Sequence, residues 1–155
     1  MKIESKIIAT INELRGEGIL VNQRSTKNGE AYDFGNSRYK VELHFEPPKW
    51  LGLEFTLMDP TPSLRYSIDT DLYDFRDPDN QEFVNEIMRE IIEFISNLKN
   101  NKLRIMYKKN RPSMLIPCGD TYALIKKGRF ISSRTSLSPL SEARIADKFR
   151  PFPFR

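Results

Sequence analysis

Apolar residues recur along this chain with two different periods, and the points where the period changes divide it into elements. Ile3, Ile7, Ile8, Ile11 and Leu14 form one stripe at helical spacing, and Gly16 and Gly18 supply a stop. That spacing predicts a helix over roughly residues 2–15. Ile19-Leu20-Val21 then reads as a strand. Two turn signals, Asn28-Gly29 and Gly35-Asn36, make the polar stretch to Ser37 a hairpin or a long loop. From Arg38 the period becomes two: Tyr39, Val41, Leu43 and Phe45 alternate with Lys40, Glu42, His44 and Glu46. This alternation marks a half-buried strand, and Pro47-Pro48 ends it. A second strand places Leu51, Leu53, Phe55 and Leu57 opposite Glu54 and Thr56. A third turns Leu64, Tyr66, Ile68, Thr70 and Leu72 inward and Arg65, Ser67, Asp69, Asp71 and Tyr73 outward. Three such strands joined by short Pro-rich connections predict an antiparallel meander with one apolar and one wet face.

The helical period returns after Asp77-Pro78. A carboxylate at the N-cap, Pro at the first helical position, and Asp79 and Glu82 near the positive end of the dipole open this helix favourably. Phe83, Ile87, Ile91, Phe94, Ile95 and Leu98 form its apolar face, which is expected to cover the meander. Beyond Lys99-Asn100-Asn101 the chain is basic and less regular. Leu103, Ile105 and Tyr107 indicate a strand stopped at Asn110-Arg111-Pro112, and further strands are expected at Thr121–Ile125 and Arg129–Ser133. Ser138-Pro139 opens a short helix through Phe149. The closing Arg150-Pro-Phe-Pro-Phe-Arg155 favours an extended path, either over the protein's own sheet edge or onto a neighbouring subunit. The fold class expected is α+β: an antiparallel meander packed against two amphipathic helices, with extra basic strands and an extended C-terminal tail. At 155 residues this is one domain's length, 1–155.

Charge changes the picture more than composition does. The net charge of +4 conceals an asymmetry: residues 1–98 hold eleven Lys and Arg against eighteen Asp and Glu, while residues 99–155 hold fourteen against three. Such asymmetry points to a charged partner, or to the two portions meeting each other. One Cys and one His exclude an internal disulfide and a structural zinc site. No apolar run is long enough to span a membrane and the N-terminus does not resemble a signal peptide, so a cytoplasmic location without membrane contact is expected. No nucleotide-binding, nucleophile-elbow or zinc-protease motif is present, and seven glycines leave little material for a phosphate-cradling loop. The chain is not expected to be an enzyme, and no cofactor is implied.

Candidate chemistry therefore rests on the wet face of the meander. Glu42, His44 and Glu46 share one side of a strand at steps of about 6.6–6.8 Å, and Glu54, Asp69 and Asp71 fall on the matching side of its neighbours. Three readings compete: a solvated sheet surface, a face that binds a basic protein, or a catalytic or divalent-metal site with His44 as acid or base. Trp50 and Tyr73, beside the turns, are candidate aromatic anchors. Cys118 is either a semi-buried structural thiol or a partner for His44 in a Cys–His pair. In the basic third, Arg104, Lys108, Lys109, Arg111, Lys126, Lys127, Arg129 and Arg134, interleaved with Tyr107, Tyr122 and Phe130, suggest nucleic acid as an alternative ligand. Those aromatics also occupy core-facing alternation positions.

A short domain without catalytic motifs, an amphipathic opening helix, an acidic Pro-punctuated meander from Glu42 to Asp74 and an acidic-capped helix from Asp77-Pro78 to Leu98 resemble bacterial toxin-immunity proteins. The likeness is to those of contact-dependent growth inhibition systems. It lies in architecture and composition across most of the chain. What it implies is a one-to-one inhibitor of a cognate toxin domain, often a basic nuclease, acting by occlusion. Glu42, His44, Glu46, Trp50, Glu54, Asp69, Asp71 and Tyr73 would then form the contact face.

Overall fold

The computed structural model of the chain describes residues 2–58, 64–70, 73–108, 111–118, 121–126, 133–136 and 149–155. Among these are two α-helices, one 3-10 turn and ten strands in two antiparallel sheets, an α+β architecture. The chain forms two compact units, residues 1–55 with 67–92 and residues 56–66 with 93–155.

In the first unit α1 (Ile3–Gly16) buries Ile7, Ile11 and Leu14. Gly18 ends it at φ +84°, a left-handed conformation that glycine adopts without a Cβ clash, and the Ile19 N–H closes the cap on the Leu14 carbonyl at 3.0 Å. The strand expected at Ile19-Leu20-Val21 does not form. The Val21 carbonyl accepts from Arg15 of the helix at 3.1 Å, Leu20 is 80% exposed, and β1 (Asn22–Ser25) begins only afterwards. It forms a hairpin with β2 (Glu30–Gly35), and β3 (Tyr39–Glu46), β4 (Trp50–Leu57) and β5 (Leu64–Asp69) follow in consecutive order. The alternation read from the sequence holds along β3: Tyr39, Val41 and Leu43 are buried while Lys40 is exposed and Glu42 half-buried. Tyr39 stacks on Phe55 of β4 with ring centroids 5.9 Å apart. Tyr32, on the same apolar side of β2, has its phenol pKa raised by burial and by Glu30, with Arg15 and Glu4 of α1 also within electrostatic reach. α1 thus lies along the apolar face.

β5 is shorter than the period predicts. It was expected to carry Tyr73, but it ends at Asp69 because the buried Thr70 hydroxyl turns inward to accept from Leu51 N–H at 3.1 Å and donate to the Lys49 carbonyl at 3.2 Å. Asp77 does cap the following element, accepting from Asp79 N–H at 2.9 Å, but it opens a 3-10 turn at Pro78–Asn80, and α2 (Gln81–Lys99) starts after it. Within this unit α2 buries Val84, Ile87, Met88 and Ile91 and leaves Phe83, expected in the core stripe, 38% exposed.

In the second unit Phe94 of α2 packs on Tyr66 of β5 at 5.5 Å. Asn101, at φ 57°, ends the helix while Lys102 N–H reaches the Asn97 carbonyl at 2.9 Å. The second sheet joins β6 (Arg104–Lys108), β7 (Arg111–Cys118), β8 (Thr121–Lys126), β9 (Ser133–Ser136) and β10 (Arg150–Pro151) in the order β10-β6-β7-β8-β9. The sequence predicts no strand at β7, because Asn110-Arg111-Pro112 reads as a stop, and Pro117 adds a second residue without an N–H. The register explains how both fit: β7 pairs with β6 over residues 111–115 and with β8 over 113–118. Pro112 therefore lies beyond the pairing with β8 and Pro117 beyond that with β6, so each can direct its missing N–H where no ladder bond is due. The tail packs on its own sheet edge. Phe149, Phe152 and Phe154 are buried, and Phe152 N–H donates to the Leu103 carbonyl at 2.7 Å. The helix expected over 139–149 falls outside the described residues, apart from Phe149. No helix among the described residues is long and apolar enough to cross a membrane.

Candidate functional site

The wet side of β3 carries a lysine, a carboxylate, an imidazole and a second carboxylate in succession. Lys40 Nζ lies 2.7 Å from Glu42 Oε1, and the other Glu42 oxygen lies 3.3 Å from His44 Nε2. On the far side His44 Nδ1 approaches Glu46 Oε2 to 3.2 Å, an ion-pair distance without the alignment of a hydrogen bond, so this buried nitrogen has charge nearby but no hydrogen-bond partner. The neighbouring lysine, through a hydrogen bond and its charge, holds the Glu42 carboxyl below its ordinary range, with His44 assisting against the opposing effect of burial. Glu42 in turn raises the Lys40 pKa. The i, i+2 spacing of a strand brings these four side chains together, as the sequence predicts.

The strands on either side shape what surrounds His44. In β2, Ala31 is its cross-strand partner and Asp33 that of Glu42. Gly52 of β4 approaches Asp69 so closely that an added Cβ would stand 2.9 Å from the aspartate Cβ. A glycine there lets two strands meet with the Asp69 side chain between them. Glu46, Glu54 and Asp69 are all half-buried. The carboxylates do gather on one side of the sheet, but Glu42 is compensated by Lys40, and Arg24 and Arg65 occupy the wet side of the edge strands at positions set by the pairing and burial alternation. Asp71 lies outside the described residues.

Aromatic side chains stand at the end of the unit where the 47–49 turn links β3 to β4. Trp50, the first residue of β4, is 42% exposed and meets the His44 ring edge-on at 6.1 Å. Tyr73 is 55% exposed and packs on Phe83 of α2 at 5.1 Å, in the loop after β5 and not on the strand face predicted for it. The described residues that follow Tyr73 are tied in place. Phe75 N–H donates to the Pro48 carbonyl at 2.9 Å, the Phe75 ring packs on Phe45 at 5.5 Å, and Gln81 Nε2 donates to the Phe75 carbonyl at 2.8 Å. Phe83, like Ile8 of the α1 stripe at 44% exposed, is assigned to an apolar face by its spacing and placed at the surface by the structure. Its position in the first turn of α2, one residue before the fully buried Val84, is the signal that separates it from the stripe.

Among the described residues no group of three His, Cys, Asp or Glu side chains is arranged to hold a metal ion. Cys118, at the end of β7, is half-buried. Comparison with protein-family models, with curated proteins and with solved structures finds no match to this chain.

Proposed function

We propose that this chain is a protein-binding inhibitor, an immunity protein that occludes the active site of a cognate bacterial toxin domain in the cytoplasm and performs no catalysis itself. The observation that carries this reading is the exposure of Trp50 against His44, which stands between the Glu42 and Glu46 carboxylates of β3, together with the exposed Tyr73–Phe83 pair. Large aromatic side chains left partly open beside a polar surface are the usual anchors of protein contacts, since they bury much area at little cost in rotamer entropy. The backbone beneath them is already tied by the Thr70 and Phe75 hydrogen bonds, which lowers the ordering cost of association. Glu46, Glu54 and Asp69 provide a negative rim that would steer a basic partner such as a nuclease domain, while the Lys40–Glu42–His44 chain fixes the face between them.

The test is co-expression of the full chain with the toxic domain encoded next to it, reading cell survival and the association rate of the purified pair. Survival with the native chain, its loss with Trp50→Ala plus Tyr73→Ala, and an association rate slowed about ten-fold by Glu54→Lys plus Asp69→Lys are expected. Absence of protection by the native chain ends the proposal. Protection unchanged by both pairs of substitutions removes this face from it.

A further inference from the structure

We propose that the second unit carries a binding site for single-stranded nucleic acid, centred on a cavity between the C-terminus of α2 and the tail. This goes beyond the inhibitor reading and stands without it. The cavity has a volume of about 390 Å³ and is lined by Lys99, Asn101, Pro151, Pro153, Phe154 and Arg155. Asn101 shapes it: its left-handed backbone turns the chain out of the helix, and its Oδ1 accepts from Phe154 N–H at 2.8 Å, clasping the tail. Lys99 and Arg155 bring a cation from each of the two segments that form the walls.

The sheet extends this positive surface in a definite direction. Pro151, one wall of the cavity, is the cross-strand partner of Arg104 on the adjoining strand β6, whose guanidinium reaches away from the cavity toward β8. Arg104 lies over the Tyr122 ring at 5.6 Å, and Tyr122 with Met106 packs against the buried Leu115, Leu124 and Phe149. Arg104 pairs with Leu115, and Leu115 with Leu124. The period of two then puts Arg111 of β7 and Lys126 of β8 on this same side of the sheet, and both are exposed. Glu93 is the one acidic residue among the described residues of the unit. The C-terminal end of α2 would oppose an anion, but two of its carbonyls are already taken, Leu98 by Asn101 N–H at 3.2 Å and Asn97 by Lys102 N–H, and Lys99 offsets the dipole.

Phosphates would meet Lys99, Arg155, Arg104, Lys126 and Arg111. A base would stack on the exposed Pro151 and Pro153 of the cavity wall. A single strand fits better than a duplex, whose bases are not free to turn into a cavity. An anionic bilayer fits less well, because Tyr107 is the one large apolar side chain exposed among the described residues of this unit.

The experiment titrates the full chain with a labelled oligouridine of roughly a dozen nucleotides, a duplex of equal length, and phosphatidylserine vesicles, at several salt concentrations. The expected result is salt-dependent binding of the oligouridine, tighter than that of the duplex. Lys99→Gln and Arg155→Gln should each weaken it about five-fold and reduce the slope of log K against log salt by about 0.7. Arg104→Gln should weaken it further, and Trp50→Ala should leave it unchanged. Thermal midpoints confirm that the variants fold, and should Arg104→Gln lower its midpoint, Lys99→Gln and Arg155→Gln carry the test. No binding at low salt, equal affinity for the duplex or for vesicles, or binding indifferent to Lys99→Gln and Arg155→Gln would overturn the proposal.

Discussion

The two sheets handle charge in opposite ways. On β3 of the first, cation, carboxylate, imidazole and carboxylate follow one another on a single side, so compensation is local and Glu42 is held ionised by its neighbours. In the second sheet the register puts like with like: Arg104, Arg111 and Lys126 share a side. Like charges that share a face repel one another. A surface organised for stability alone would relieve them, whereas one that meets an anion has reason to keep them. The first sheet accordingly offers aromatic contact with a weak negative rim, and the second offers potential.

If the positive sheet tolerates its own repulsion, burial must hold it, and the tail contributes Phe149, Phe152 and Phe154 to that burial. Phe152 is 3% exposed and its N–H is tied to Leu103. Phe152→Ala should destabilise the protein by about 3–5 kcal/mol, the range for truncating a buried aromatic, read by chemical denaturation. A loss below 1 kcal/mol would mean that the tail merely rests on the sheet. The counterpart in the first unit is Thr70. Thr70→Val keeps the volume but leaves Leu51 N–H and the Lys49 carbonyl without their partner, at a cost of about 1–3 kcal/mol. It should also loosen Trp50, shifting its fluorescence, which as the only tryptophan reports this end of the unit directly.

These residues also show which parts of the molecule were legible in the sequence. The β3 alternation, the α1 stripe and the Asp77 cap were, because local periodicity and capping chemistry are written in consecutive residues. The end of β5 was not. Thr70 fits the strand pattern equally well whether its hydroxyl points along the sheet or turns in to bond residues nineteen and twenty-one positions earlier. β7 was hidden because whether a strand tolerates Pro112 and Pro117 depends on where its neighbours' pairing stops, which is a non-local fact. The same holds for the candidate sites. Glu42, His44 and Glu46 were found by spacing, but the exposure of Phe83 and the joining of Lys99 to Arg155 across a cavity depend on chain folding.

The register sharpens the comparison further at Arg111. Arg111→Glu places a carboxylate on the side of the sheet that carries Arg104 and Lys126, and should stabilise the protein by about 0.2–1 kcal/mol, most visibly at low salt. The same substitution should weaken oligouridine binding. Greater stability with weaker binding would confirm that the sheet carries its charge for a ligand; a loss of both would mean that Arg111 serves the fold.

Lys40 is the converse case, and its effect is the smallest. Removing this cation with Lys40→Met breaks a compensated chain, whereas Arg111→Glu adds a carboxylate among cations, so the sign should reverse. The pair is half open to solvent, with Lys40 49% and Glu42 27% exposed at the side chain, which limits the loss to about 0.2–1 kcal/mol. The pH dependence identifies the cause. Glu42 has a lowered pKa in the folded protein, so its contribution is present above the ordinary glutamate value of 4.5 and is lost as pH falls through the lowered one. Lys40 has a raised pKa, so its contribution is present below 10.5 and is lost as pH rises through the raised value. The difference in thermal midpoint between native chain and Lys40→Met should therefore be flat across neutral pH and shrink at both extremes. A difference that persists unchanged into acid would assign the effect to the packing of the lysine stem, and the charge chain on β3 would then be a consequence of strand spacing alone.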